Sequence, residues 1–65
     1  MNHTEQKVVV FSKIEPWVAN SLDAERWFQN EVIPALGSTP EEAIKNNNFE
    51  ALIDYIEAIE IGGFA

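Results

Sequence analysis

The chain predicts an all-α fold, a small bundle of three to four short helices. Three observations lead there. Apolar residues recur at helical spacing in two separate segments, Leu22 to Ile33 and Phe49 to Ile59. Helix-start chemistry stands ahead of helical stretches, as Asn20-Ser21 and as Thr39-Pro40-Glu41-Glu42. Turn formers fall between those stretches: Pro34, Gly37-Ser38 and Asn46-Asn47-Asn48.

Residues 1–7 are polar and expected to fray. Val8-Val9-Val10-Phe11 is a β-branched apolar run, which by propensity is a short strand forming an extended N-terminal arm. A lone strand must pair with another chain, which makes Val8, Val9, Val10 and Phe11 a candidate homodimer contact. An arm packed on the core, helical or extended, accounts for the same residues equally well. Glu15-Pro16-Trp17 starts a helical turn with Pro16 at its first position.

Asn20 and Ser21 are good caps, and Asp23 and Glu25 place negative charge in the first turn that follows. From Leu22 to Ile33, helical spacing puts Ala24, Trp27, Phe28 and Val32 on one face, and Pro34 ends the helix. Gly37 and Ser38 turn the chain. Thr39 then caps a short helix, Pro40 sits at its first position and Glu42 completes a capping box. The Asn triplet breaks that helix, and Asn48 is placed to cap the next. Phe49, Leu52, Ile53, Ile56 and Ile59 recur at i, i+3, i+4, i+7 and i+10, with Glu50, Asp54, Glu57 and Glu60 largely on the outer side. Gly62 or Gly63 supplies the C-terminal cap. The expected core is Leu22, Ala24, Trp27, Phe28, Val32, Leu36, Ile44, Leu52, Ile53, Ile56 and Ile59.

Sixty-five residues make a single domain, spanning 1–65. A chain of this size buries only about 60% of the surface it exposes when unfolded, so stability is marginal. There is no cysteine to add a disulfide, and the one histidine cannot complete a metal site. A formal charge of −7 weighs against direct nucleic-acid binding, which needs a Lys/Arg face. It favours a basic partner or simply keeps a small protein dissolved. No signal peptide opens the chain, and the apolar run is far shorter than the roughly 20 residues of a membrane helix. A cytoplasmic protein is the expectation.

Catalytic chemistry finds no support. Glu41 and Glu42 are adjacent and diverge by about 100° on a helix, so capping explains them better than an acid–base pair. His3 lies in a polar tail, and Ser12, Ser21 and Ser38 have no His at hand. Trp27 and Phe28 suit a small core better than a ligand platform. Trp17 sits off the main stripe, as an interface anchor or a cover over the core. Gly62-Gly63 is no nucleotide-binding loop, because no helix follows it. No cofactor, metal or catalytic residue is expected.

In its order of pieces the chain resembles the C-terminal toxin-binding domain of Xre, MbcA and ParS antitoxins. The matching residues are Ala24 and Trp27-Phe28, Pro34-Ala35-Leu36-Gly37, and Thr39-Pro40. Phe49, Leu52, Ile53, Ile56, Ile59-Glu60 and Gly62-Gly63-Phe64-Ala65 complete the pattern. The resemblance runs from Leu22 to Ala65. The turn from Leu36 to Thr39 is one residue shorter than the family's usual form. No helix-turn-helix precedes the domain, so the expectation is neutralisation of a partner without operon repression.

The resemblance implies inhibition by occlusion, with a C-terminal region that covers the NAD site of a RES-type toxin. Its partner-binding residues here would be Glu57, Glu60, Ile61, Gly62, Gly63, Phe64 and Ala65. A pyrophosphate pocket offers Arg, Lys and backbone donors, which Glu57, Glu60 and the Ala65 carboxylate would occupy. Phe64 would fill an apolar part of the cleft, and the two glycines would pass a narrow entrance. Two other readings stand beside this one. One is an acidic, phage-type inhibitor that mimics nucleic acid; the other is a structural subunit that dimerises through Val8 to Phe11.

Overall fold

In the computed structural model, which describes residues 1–62, four α-helices follow one another with a short 3-10 turn after the first. They are α1 (His3–Ile14), the turn Glu15–Trp17, α2 (Ser21–Asn30), α3 (Pro40–Lys45) and α4 (Phe49–Gly62). Helices α1, α2 and α4 each pack against α3 or one another around one core of Val10, Ile14, Ala24, Phe28, Ile33, Ala43, Ile44, Leu52 and Ile56. The all-α expectation holds. No helix among the described residues is long and apolar enough to cross a membrane.

Helix α1 corrects the extended arm. The Asn2 side chain accepts from the Glu5 N–H at 2.8 Å, while Glu5 Oε1 accepts from the Asn2 N–H at 3.1 Å. This capping box starts the helix at His3, inside the stretch expected to fray. Val10 and Ile14, four apart, are fully buried. Phe11 meets Phe28 edge to face, with ring centroids 5.4 Å apart. Helix propensity disfavours each valine by at most about 0.7 kcal/mol. Full burial of one such side chain is worth about 1.5–3 kcal/mol, so packing overrides the β preference. The strand-mediated dimer through Val8, Val9, Val10 and Phe11 falls with the strand, since Val10 and Phe11 face the chain's own core.

Helix α2 starts as expected. Asn20 Oδ1 accepts from the Asp23 N–H at 2.9 Å, and the Asp23 carboxylate accepts from the Ala19 N–H at 3.2 Å. It ends earlier than its apolar pattern suggests, at Asn30, because Glu31 is already extended. Ile33 then enters an isolated antiparallel bridge with Ser38, its N–H donating to the Ser38 carbonyl at 2.9 Å. Out of the helix, Val32 turns to solvent, 58% exposed, and Ile33 is wholly buried in its place. Leu22, also expected inside, is 62% exposed on the first turn of α2. Trp27 is half-buried and packs edge to face on Trp17, ring centroids 6.4 Å apart.

The turn before α3 closes on one acceptor: the Leu36 and Gly37 N–H groups both donate to the Ile33 carbonyl, at 2.9 and 2.8 Å. Gly37 has φ +68°, a conformation that suits glycine. The capping box of Thr39 and Glu42 is present, with Pro40 buried behind it. At the far end of α3, the Asn48 N–H donates to the Ala43 carbonyl at 2.7 Å and the Asn47 N–H to Ile44 at 3.1 Å. This is a Schellman stop with Asn47, at φ +63°, in the left-handed position usually given to glycine. The Asn48 carbonyl accepts the first α4 bond, from Leu52, so the three asparagines alone connect α3 to α4.

Candidate partner-binding face

Helix α4 divides along its length. Leu52 and Ile56, four apart, are fully buried, with Phe49, Ile53 and Tyr55 packed partly against the same core. Ile59 is half-buried, and beyond it the helix leaves the core: Glu60 is exposed and Ile61 is 84% exposed. The acidic side chains Glu50, Asp54 and Glu60 face solvent, as the periodicity predicts.

Glu57 is different. Its Oε2 accepts from Lys13 Nζ at 3.0 Å, which ties the last turn of α1 to the last turns of α4. The hydrogen bond it donates to Glu57 holds the Lys13 ammonium above its usual 10.5; partial burial opposes this, and the charges of Glu57 and Glu60 add to it. Glu57 therefore has an internal partner, while Glu60 senses Lys13 only through its field. Sequence reading treated both as free for a partner and missed Lys13. The available signal was weak: only four basic residues stand among eleven acidic ones, so a lysine beside buried positions was a good candidate for pairing.

The α4 end also runs against the helix dipole. Its last turn carries Glu60 and no basic residue. A carboxylate there is unfavourable by about 0.3–1 kcal/mol at an exposed site. Together with the exposed Ile61, this makes a small surface of apolar and negative character outside the core of the described residues. Of the seven residues expected to bind a partner, Glu57, Glu60 and Ile61 sit together on α4, and Gly62 is its last residue. Gly63, Phe64 and Ala65 lie outside the described residues; of the two glycines expected to cap the helix, Gly62 is still within it and Gly63 is among those three.

The candidate chemical groups stay apart. His3 is exposed on the first turn of α1, Ser12 on α1, and Ser21 at the start of α2. Glu42 is engaged in the α3 cap, where its carboxylate accepts from the Thr39 N–H at 3.0 Å. Among the described residues no group of three or more His, Cys, Asp and Glu side chains is placed to hold a metal ion. Comparison with models of known families, with curated proteins and with solved structures returned no match.

Proposed function

We propose that this chain is a non-enzymatic inhibitor that presents the end of α4 to a partner enzyme and occludes its active site, in the manner of the antitoxin domains it resembles. The observation that carries the reading is the end of α4, where Ile61 is 84% exposed and Glu60 adds negative charge to the helix C-terminus. Residues that lower a fold's own stability without an internal partner are expected where function selects them. A pocket built for NAD answers this surface well, since it offers cationic and backbone donors for Glu60 and apolar wall for Ile61. Gly62, Gly63, Phe64 and Ala65 continue from that end and would enter the cleft. A RES-type NAD-consuming toxin in the cytoplasm is the partner class this reading names.

The test begins with capture of the partner from the native host and measurement of its activity with saturating inhibitor. The double variant Glu60→Lys, Ile61→Ser should fold with unchanged helicity and with melting unchanged or slightly raised, because both positions are exposed and the lysine suits the helix C-terminus, yet fail to inhibit. Full inhibition by that variant would sink the reading. The acidic outer side of α4, with Glu50, Asp54 and Glu60 exposed, also favours a nucleic-acid mimic acting on a nucleic-acid enzyme. That reading requires binding to weaken steeply with salt and to compete with DNA or RNA.

A further inference from the structure

We propose that the groove between α1 and the start of α2 is a second docking surface, which takes an amphipathic helix with basic flanks from another protein. The groove has a volume of about 440 Å³ and is walled by Val8, Phe11 and Glu15 on one side and Val18, Ala19 and Ala24 on the other. On α1, Val8 and Phe11 stand three apart on one face, where a docked helix would lie against them, and Glu15 follows in the 3-10 turn. Val8 stands at its open edge, a β-branched apolar residue in a helix, 63% exposed among the described residues. Successive helical residues turn by about 100°, so Phe11 lies on the opposite side of α1 from Lys13, which pairs with α4. The groove is thus a separate surface from the α4 end, and this proposal does not rest on the inhibitor reading.

Charge decides the occupant. Glu15 lines the groove, and the Asp23 carboxylate sits against the Ala19 N–H at its other wall. The neighbouring Lys7 offers no counterweight, because its ammonium is 2.9 Å from Glu25 and lies over the Phe11 and Phe28 rings. The floor is therefore apolar, and the charge at its edges is negative, carried by Glu15 and the adjacent Asp23 beside the neutral Ser12, Asn20 and Ser21. A second copy would bring another −7 and set carboxylate against carboxylate across the seam. An anionic membrane would be repelled in the same way. An amphipathic helix with Lys or Arg beside its apolar stripe satisfies both floor and rim.

Two synthetic peptides of about 15 residues, long enough to form a helix on docking, provide the test. Both carry one leucine stripe; one is flanked by Lys and the other by Glu. Each is titrated into the full ¹⁵N-labelled chain. The Lys peptide should shift the amides of Val8, Phe11, Val18 and Ala24 saturably, and the Glu peptide should bind about tenfold or more weakly. Val8→Lys, at an exposed position, should leave the spectrum native and weaken the Lys peptide by a similar factor. Equal binding of both peptides, shifts confined to the acidic side of α4, or no shifts at millimolar peptide would overturn the proposal. So would concentration-dependent shifts of the same amides in the chain alone, which would make the occupant a second copy. The Glu60→Lys, Ile61→Ser variant should titrate as the parent does, so a failed inhibitor and an empty groove give different results.

Discussion

Lys13 Nζ lies 3.0 Å from Glu57 Oε2, joining the first helix to the last across 44 positions of the chain. The pair is half-exposed, with 28% of the Lys13 side chain and 47% of the Glu57 side chain accessible. It ties α4 to α1 four residues before the exposed Ile61. It also sets how far Glu57 is available to anything else.

Replacing Lys13 with Met should keep the stem's packing and remove the charge. The melting temperature should fall modestly at neutral pH, as for other surface pairs, and less at high salt. The Lys13 ammonium is held above 10.5 in the fold, so its contribution is complete below that value and disappears as pH rises through the higher folded value. The difference between parent and variant should therefore be constant from pH 7 to 10 and close in stronger alkali. A difference that closes on acidifying from pH 7 to 6 instead would show that another group carries it.

Val32 and Ile33 are adjacent, yet their substitutions should differ sharply. Ile33→Ala empties a fully buried position and should lower stability by about 2–5 kcal/mol, while Val32→Ser should stay within about 0.5 kcal/mol. Phe28→Ala, at a ring only 2% exposed, should cost about 3–5 kcal/mol. Trp27→Ala should cost less than Phe28→Ala, because its ring is half-exposed against Trp17. Urea titration of the four variants gives the order directly; a larger loss at Val32 than at Ile33 would mean that α2 continues past Asn30.

The turn and caps around α3 should respond independently of any partner. Thr39→Ala removes the cap to Glu42 and should cost about 0.5–2 kcal/mol. Gly37→Ala meets no atom within 4 Å, so its cost is conformational alone, about 1–2 kcal/mol at φ +68°. Asn47→Gly should be neutral or slightly stabilising, since the position is already left-handed. Each variant should retain full partner inhibition when assayed well below its melting temperature. A loss of inhibition without destabilisation would place this turn in the interface.

Deletion of Gly62 to Ala65 should leave the helical signal and melting close to those of the parent, since the buried side chains of α4 end before Ile59. Inhibition of the captured partner should be lost more completely than binding. Equal inhibition by full-length and truncated chains, both above saturation, would remove Phe64 and the glycines from the mechanism and leave the helical face alone.

The caps of α2 and α3 and the break after α3 were legible in the sequence because their physics is local; the Asn2–Glu5 box of α1, equally local, falls in a stretch expected to fray. The Thr39–Glu42 box, the Asn20 cap and the Asn47 stop are each satisfied within a few residues, and the apolar stripe of α4 repeats with the helix itself. These were enough to determine an all-α chain, the starts of α2 and α3, the break between α3 and α4, and which side of α4 faces inward. Tertiary structure alone decided the rest. Val8 to Phe11 became helix because burying Val10 and packing Phe11 on Phe28 outweigh a propensity difference of a few tenths of a kcal/mol per residue. Ile33 displaced Val32 because its bridge to Ser38 ends the helical period before that period reaches them. The Lys13–Glu57 pair left no pattern to read, since two charges far apart in the chain are brought together only when the helices between them pack.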